Sequence, residues 1–210
     1  MLSNRIAQLA PPPRWVPLPV VCSTMLGLTG GLGATFLIMG MLPVWLSAGD
    51  SISISGTWLL VLSFPIIGAA FFTTATVRGL RRVILLRCGK VASARTISKR
   101  ATNTSVNNQP VVKYVYEFQG SDGRVYSGSS RALASEEIGD EAEEPVLYVP
   151  SDPRLSTLVD ALPLRCTLDV DEAGQWVSYE SMWPVVWCGL AWMGILANVG
   201  YGLLRVLDVF

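Results

Sequence analysis

The apolar residues gather into three long blocks, and the polar residues into one long stretch between the second and third block. The blocks cover residues 20–46, 58–77 and 183–204. At about 1.5 Å of rise per residue, a helix of roughly 20 residues crosses a hydrocarbon core of about 30 Å. The pattern therefore predicts three transmembrane helices, with Pro65 kinking the second. Residues 1–19 hold Pro11, Pro12, Pro13, Pro17 and Pro19 and read as an extended, disordered tail.

Over residues 89–175 the period changes to two. Val112, Tyr114, Tyr116 and Phe118 fall on one face of a strand, and Lys113, Val115, Glu117 and Gln119 on the other. Gly120, Asp122 and Gly123 supply a turn, and residues 124–130 return as a second strand. Further strands are expected at 90–98, at 145–149 before Pro150 and Pro153, at 155–159, and within 162–175. The polar residues 98–109 read as a long loop. The expected core is Val112, Tyr114, Tyr116 and Phe118, joined by Tyr126 and Tyr148 from neighbouring strands. The fold class that follows is an α+β membrane protein, with a small antiparallel β-module inserted between the second and third transmembrane helices.

Several short pieces occur in a fixed order. Gly89 opens a strand. Tyr114, Tyr116 and Phe118 follow, then Asp122, Gly123, Tyr126 and Gly128, then Tyr148, Pro150, Asp152, Pro153 and Ser156. In this order they resemble a bacterial membrane-protein family, the domain of unknown function numbered three-five-nine-two. The resemblance covers about the middle third of the chain. The family usually carries an aspartate before the first proline, where this chain has Val149. The resemblance implies an architecture and no activity.

Composition agrees with the pattern. Half of the 210 residues are hydrophobic and 15% are charged, against roughly a quarter in an ordinary soluble domain. Sixteen basic and sixteen acidic residues cancel, so no nucleic-acid partner is expected. Arg78, Arg81, Arg82 and Arg87 follow the second block, while residues 47–57 hold no basic residue. The positive-inside bias then places the β-module on the cytoplasmic side of a bacterial inner membrane.

Most chemistry is missing. The chain has no histidine, which removes Ser-His-Asp and Cys-His catalysis and the usual zinc sites. Cys22, Cys88, Cys166 and Cys188 lie too far apart in sequence for a metal motif. Glu136, Glu137, Asp140, Glu141, Glu143 and Glu144 form an acidic run without a calcium-loop pattern, and read as a solvated segment. No cofactor is expected. Gly27 and Gly31 are candidates for close helix packing, within the chain or between copies, and Asn198 for a bond across helices.

The functional expectation is a membrane-anchored β-module that acts as a protein-binding scaffold or accessory subunit. Its partners would be the lipid bilayer and a membrane or cytoplasmic protein, and homo-oligomers are expected to be accessible to it. The alternative is a subunit of an oligomeric channel or transporter, with the helices as the working part.

Overall fold

The structure is a computed structural model that describes residues 5–46, 56–106, 108–133, 138, 143–162 and 167–208. Three helices are described: α1 (Leu18–Leu46), α2 (Gly56–Cys88) and α3 (Trp183–Asp208). Between α2 and α3 come β1 (Lys90–Val106), β2 (Gln109–Gln119), β3 (Val125–Leu133), β4 (Glu144–Val149), β5 (Asp152–Leu158), β6 (Leu168–Val170) and β7 (Trp176–Ser178). The chain divides into two units, one of Met1–Val20 with Arg81–Glu180, the other of Val21–Leu80 with Ser181–Phe210.

The first unit holds the sheet, in the order β3-β2-β1-β4-β5, with every pair antiparallel. β1 is the shared strand. Its first residues, Lys90–Ala94, pair with β4, and the remainder pairs with β2. Breaks in register between Thr96 and Ser98 and between Ala101 and Ser105 let so long a strand serve both partners, since a bulge bends and twists a strand. The polar stretch expected as a loop over 98–109 is therefore mostly strand, because Ser98 to Ala101 find ladder partners from Val115 to Val112.

The sheet nearly closes on itself. Counting antiparallel pairs, β3 and β5 both run in the direction of β1, and they meet along a seam. Tyr116 OH and Ser156 Oγ share a hydrogen bond of 3.2 Å, Ser130 Oγ and Thr157 Oγ1 one of 3.0 Å, and the Leu158 N–H donates to Ser130 Oγ at 3.1 Å. The result is a partly open, five-stranded Greek-key barrel, the architecture shared by OB-folds.

The aromatic face fills the barrel, as its period of two requires. Tyr114, Tyr116, Phe118 and Tyr148 are buried in one cluster with Ala94, Val146, Leu158 and Ile138, and Val112 and Tyr126 pack at its margin. Phe118 sits between Tyr148 (5.1 Å between ring centroids) and Tyr126 (6.0 Å). Gly128 lies directly across from Tyr116, and a Cβ there would stand 2.5 Å from the Tyr116 ring. The glycine is what admits that ring.

The proline-rich start of the chain is no loose tail. Ile6 and Val16 are buried, and Arg14, also buried, donates to the carbonyls of Leu86 and Gly89. Trp176 Nε1 donates to the Leu86 carbonyl at 2.9 Å. The last turn of α2 leaves carbonyls without helical partners: both side chains bond that of Leu86, the Gly89 N–H donates to that of Leu85, and the Arg14 N–H to that of Arg87. Burial lowers the Arg14 pKa, and the nearby Cys88 raises it in part.

In the second unit the three-span expectation fails. Among the described residues one helical stretch, Trp183–Tyr201, is long and apolar enough to cross a membrane. Leu18–Gly27 and Thr29–Met41 pass only if joined, and they are bent by 66° at a break where Gly27 takes φ 33°. α2 does not stop at residue 77 but continues through Arg78, Arg81 and Arg82 to Cys88. The architecture of three transmembrane helices is thus overturned, and with it the description of the chain as a membrane protein by those helices. Hydropathy registers apolar composition, and in α1 and α2 part of that composition is small residues at the contact between the two helices. A Cβ on Gly33 would stand 2.5 Å from the Phe72 nitrogen, one on Gly68 2.5 Å from the Leu37 nitrogen, and one on Gly40 2.6 Å from Pro65. Residues 47–55, the expected loop between spans, lie outside the described residues.

Candidate functional site

The barrel has two surfaces of different character. Its inner face is aromatic and closed. Lys99 belongs to this face, with its Nζ 5.5 Å from the Tyr114 ring centroid and donating to the Ile138 carbonyl. Burial raises the Tyr116 pKa, against the opposing pull of hydrogen bonds from Ser130 and Ser156. These hydroxyls hold the seam. They surround no nucleophile–base pair, since a phenol with a raised pKa is a poor base near neutral pH.

The outward face of β1, β2 and β3 is the larger uncovered surface of the sheet. Residues directly opposite one another in neighbouring strands share a face, so the register lays out its ranks. Arg100, Lys113 and Arg131 form one rank. Ser98, Val115 and Ser129 form the next. Arg95, Glu117 and Ser127 form the one after. Val115 and Lys113 are half-buried, while Arg95, Arg100, Glu117 and Arg131 are exposed. At the Glu117 end the face opens into a shallow cleft of about 200 Å3, lined by Arg95, Glu117, Gln119, Val125 and Glu143. Glu143 accepts a hydrogen bond of 2.6 Å from Ser93 Oγ, which occupies that carboxylate.

At the turn of the β2–β3 hairpin, next to this cleft, Tyr126 OH donates to Asp122 Oδ2 at 2.6 Å. That hydrogen bond lowers the Asp122 pKa and raises that of Tyr126. Both groups serve the turn, where Gly123 takes φ 76°.

Among the described residues no group of three or more His, Cys, Asp or Glu is placed to hold a metal ion. Of the acidic run, Glu136, Glu137, Asp140 and Glu141 lie outside the described residues, as does Cys166. The helix-packing candidates divide. A Cβ on Gly27 or Gly31 would meet nothing within 4 Å, so the close α1–α2 approach belongs to Gly33, Gly40 and Gly68 instead. Asn198 Nδ2 donates to the Gly194 carbonyl, one turn back on its own helix, at 3.0 Å. The core candidates Val112, Tyr114, Tyr116, Phe118, Tyr126 and Tyr148 all come together.

Sequence reading missed two things. One is the hydroxyl seam, whose members Tyr116, Ser130, Ser156 and Thr157 carry no shared spacing. The other is the outward basic rank, which depends on register across two pairings, one of them bulged. Alternation in β2 alone placed Lys113 on the outward face, but gave no means of aligning Arg100 and Arg131 with it. No family model, no curated protein and no solved structure matches this chain.

Proposed function

We propose that the barrel is a protein-binding module, attached to a bilayer through α3 and acting as a scaffold or accessory subunit without catalysis of its own. The observation that carries this reading is the uncovered outward face of β1, β2 and β3. It presents a half-buried valine among hydroxyls and charges on a nearly closed sheet. An apolar centre with a polar rim is the anatomy of a protein interface. The hydroxyl seam sets the two edge strands, β3 and β5, against each other and narrows the room for peptide addition, which favours binding at the face. Attachment through α3 is supported by Trp183, Trp187, Leu190, Met193 and Leu196, all exposed on a helix of sufficient length.

The test is Val115→Asp in the full-length protein, followed by chemical crosslinking in membranes. The reading expects the variant to melt as the wild type does and to lose its crosslinked partner. A variant that keeps the partner, or wild-type protein that crosslinks to none, rejects it.

A further inference from the structure

We propose that the rank Arg100–Lys113–Arg131 recognises an acidic segment of the partner protein, with carboxylates two residues apart. The proposal rests on the reading of the barrel as a protein-binding module and names the chemistry of what it binds. Register makes Arg100 the direct neighbour of Lys113, and Lys113 the direct neighbour of Arg131. Like charges directly opposite destabilise a sheet, and this rank holds two such pairs in a row. The sheet supplies no compensation. The adjoining rank, Ser98, Val115 and Ser129, is uncharged. Glu117 lies four residues along β2 from Lys113, about 14 Å at strand rise, and stands opposite Arg95. The ion pairs Arg5–Asp169 and Arg124–Asp122 lie away from the rank.

The spacing selects the ligand. Neighbouring strands lie about 4.8 Å apart, so the rank is about 10 Å wide at its base. An extended chain shows same-side residues about 7 Å apart. Two carboxylates at positions i and i+2, laid across the strands, therefore fall between the three cations. The arginine forks at either end bind carboxylates in two-point fashion. Ser98 and Ser129 add donors beside the rank, and Val115 adds an apolar contact. A nucleic acid is disfavoured, because none of the residues in these three ranks is aromatic and no base-stacking platform exists. An anionic bilayer is disfavoured as well. Recognition of anionic lipid uses clusters of about four to eight basic residues, whereas here three cations share one rank and the fourth on the face, Arg95, stands opposite Glu117.

The experiment uses full-length protein in detergent and a fluorescein-labelled peptide with glutamate at every second position. Its counterpart has glutamine in place of glutamate. The expected result is a saturable rise in anisotropy with the glutamate peptide, weakened by salt and absent with glutamine. Lys113→Ser should weaken binding roughly tenfold or more, while its melting temperature stays at or above that of the wild type, because a like-charge contact is gone. Arg124→Ser, in the β2–β3 turn, should bind as the wild type. Equal binding of both peptides, or unchanged binding by Lys113→Ser, overturns the proposal. So does direct binding of soluble dihexanoyl phosphatidylglycerol that is lost in Lys113→Ser, when the glutamate peptide does not bind. Wild-type protein that ignores the glutamate peptide overturns the acidic-partner assignment alone, since crosslinking through Val115 decides the protein-binding reading separately.

Discussion

Phe118 and Glu117 are adjacent in sequence and opposite in consequence. Phe118 is buried between Tyr148 and Tyr126, so Phe118→Ala should cost about 3–5 kcal/mol through lost burial and a cavity. Glu117 is exposed on the outward face, and Glu117→Ala should cost about 0.5 kcal/mol or less. Chemical denaturation of the two variants checks the facing of β2, and the reverse order would refute it. Tyr116 gives a pH signature. Burial raises its pKa, so the folded chain keeps a proton that the unfolded chain releases near the ordinary value of about 10. Above that pH the unfolded form binds fewer protons than the folded form, and stability falls as pH rises. The contribution is fully present below about pH 10. Tyr116→Phe should flatten that fall, measured as the difference in denaturation midpoint between the two proteins on either side of pH 10. These residues were legible in the sequence because a regular strand makes every second side chain share a face, and Tyr114, Tyr116 and Phe118 left no other face to be the core.

At the scale of elements, the seam between β3 and β5 holds the barrel shut without a continuous backbone ladder. Ser130 Oγ accepts from the Leu158 N–H and bonds Thr157, and it is buried. Ser130→Ala leaves that N–H without its acceptor, which costs about 1–3 kcal/mol in a buried site. The Leu158 amide should then exchange with deuterium faster than those of β2. Ser129→Ala, one residue away on the outward face, should leave both stability and exchange unchanged. Helix packing makes a parallel prediction. Gly33→Ile forces a side chain into the backbone of α2 and should unfold that contact, while Gly31→Ile faces open space and should be tolerated. Circular dichroism melts of both variants check this. The hairpin of β2 and β3 was legible from alternation and from the Gly120–Gly123 turn. The second half of β1 was not, because Ser98, Arg100, Thr102 and Asn103 carry no apolar face and two bulges interrupt the period. The helices were legible as helices. Their use was not, since composition alone does not show the bend at Gly27 or the glycine contacts between α1 and α2.

At the scale of the molecule, one unit holds a partly open barrel with an aromatic interior and a charged, partly apolar outward face. The other gathers α1 and α3 with most of α2. The barrel interior is filled by side chains, which leaves its surface to carry function. Among the surfaces of the sheet, the face of β1, β2 and β3 combines a half-buried valine with an uncompensated basic rank. A photo-crosslinking amino acid placed at Val115 of the full-length protein, in living cells, tests this claim most directly. An identical probe at Glu172, exposed between β6 and β7, serves as the control. The account predicts a discrete protein adduct from position 115, lost when Lys113→Ser is added, and no adduct from position 172. An adduct from position 172 with none from position 115 would contradict it.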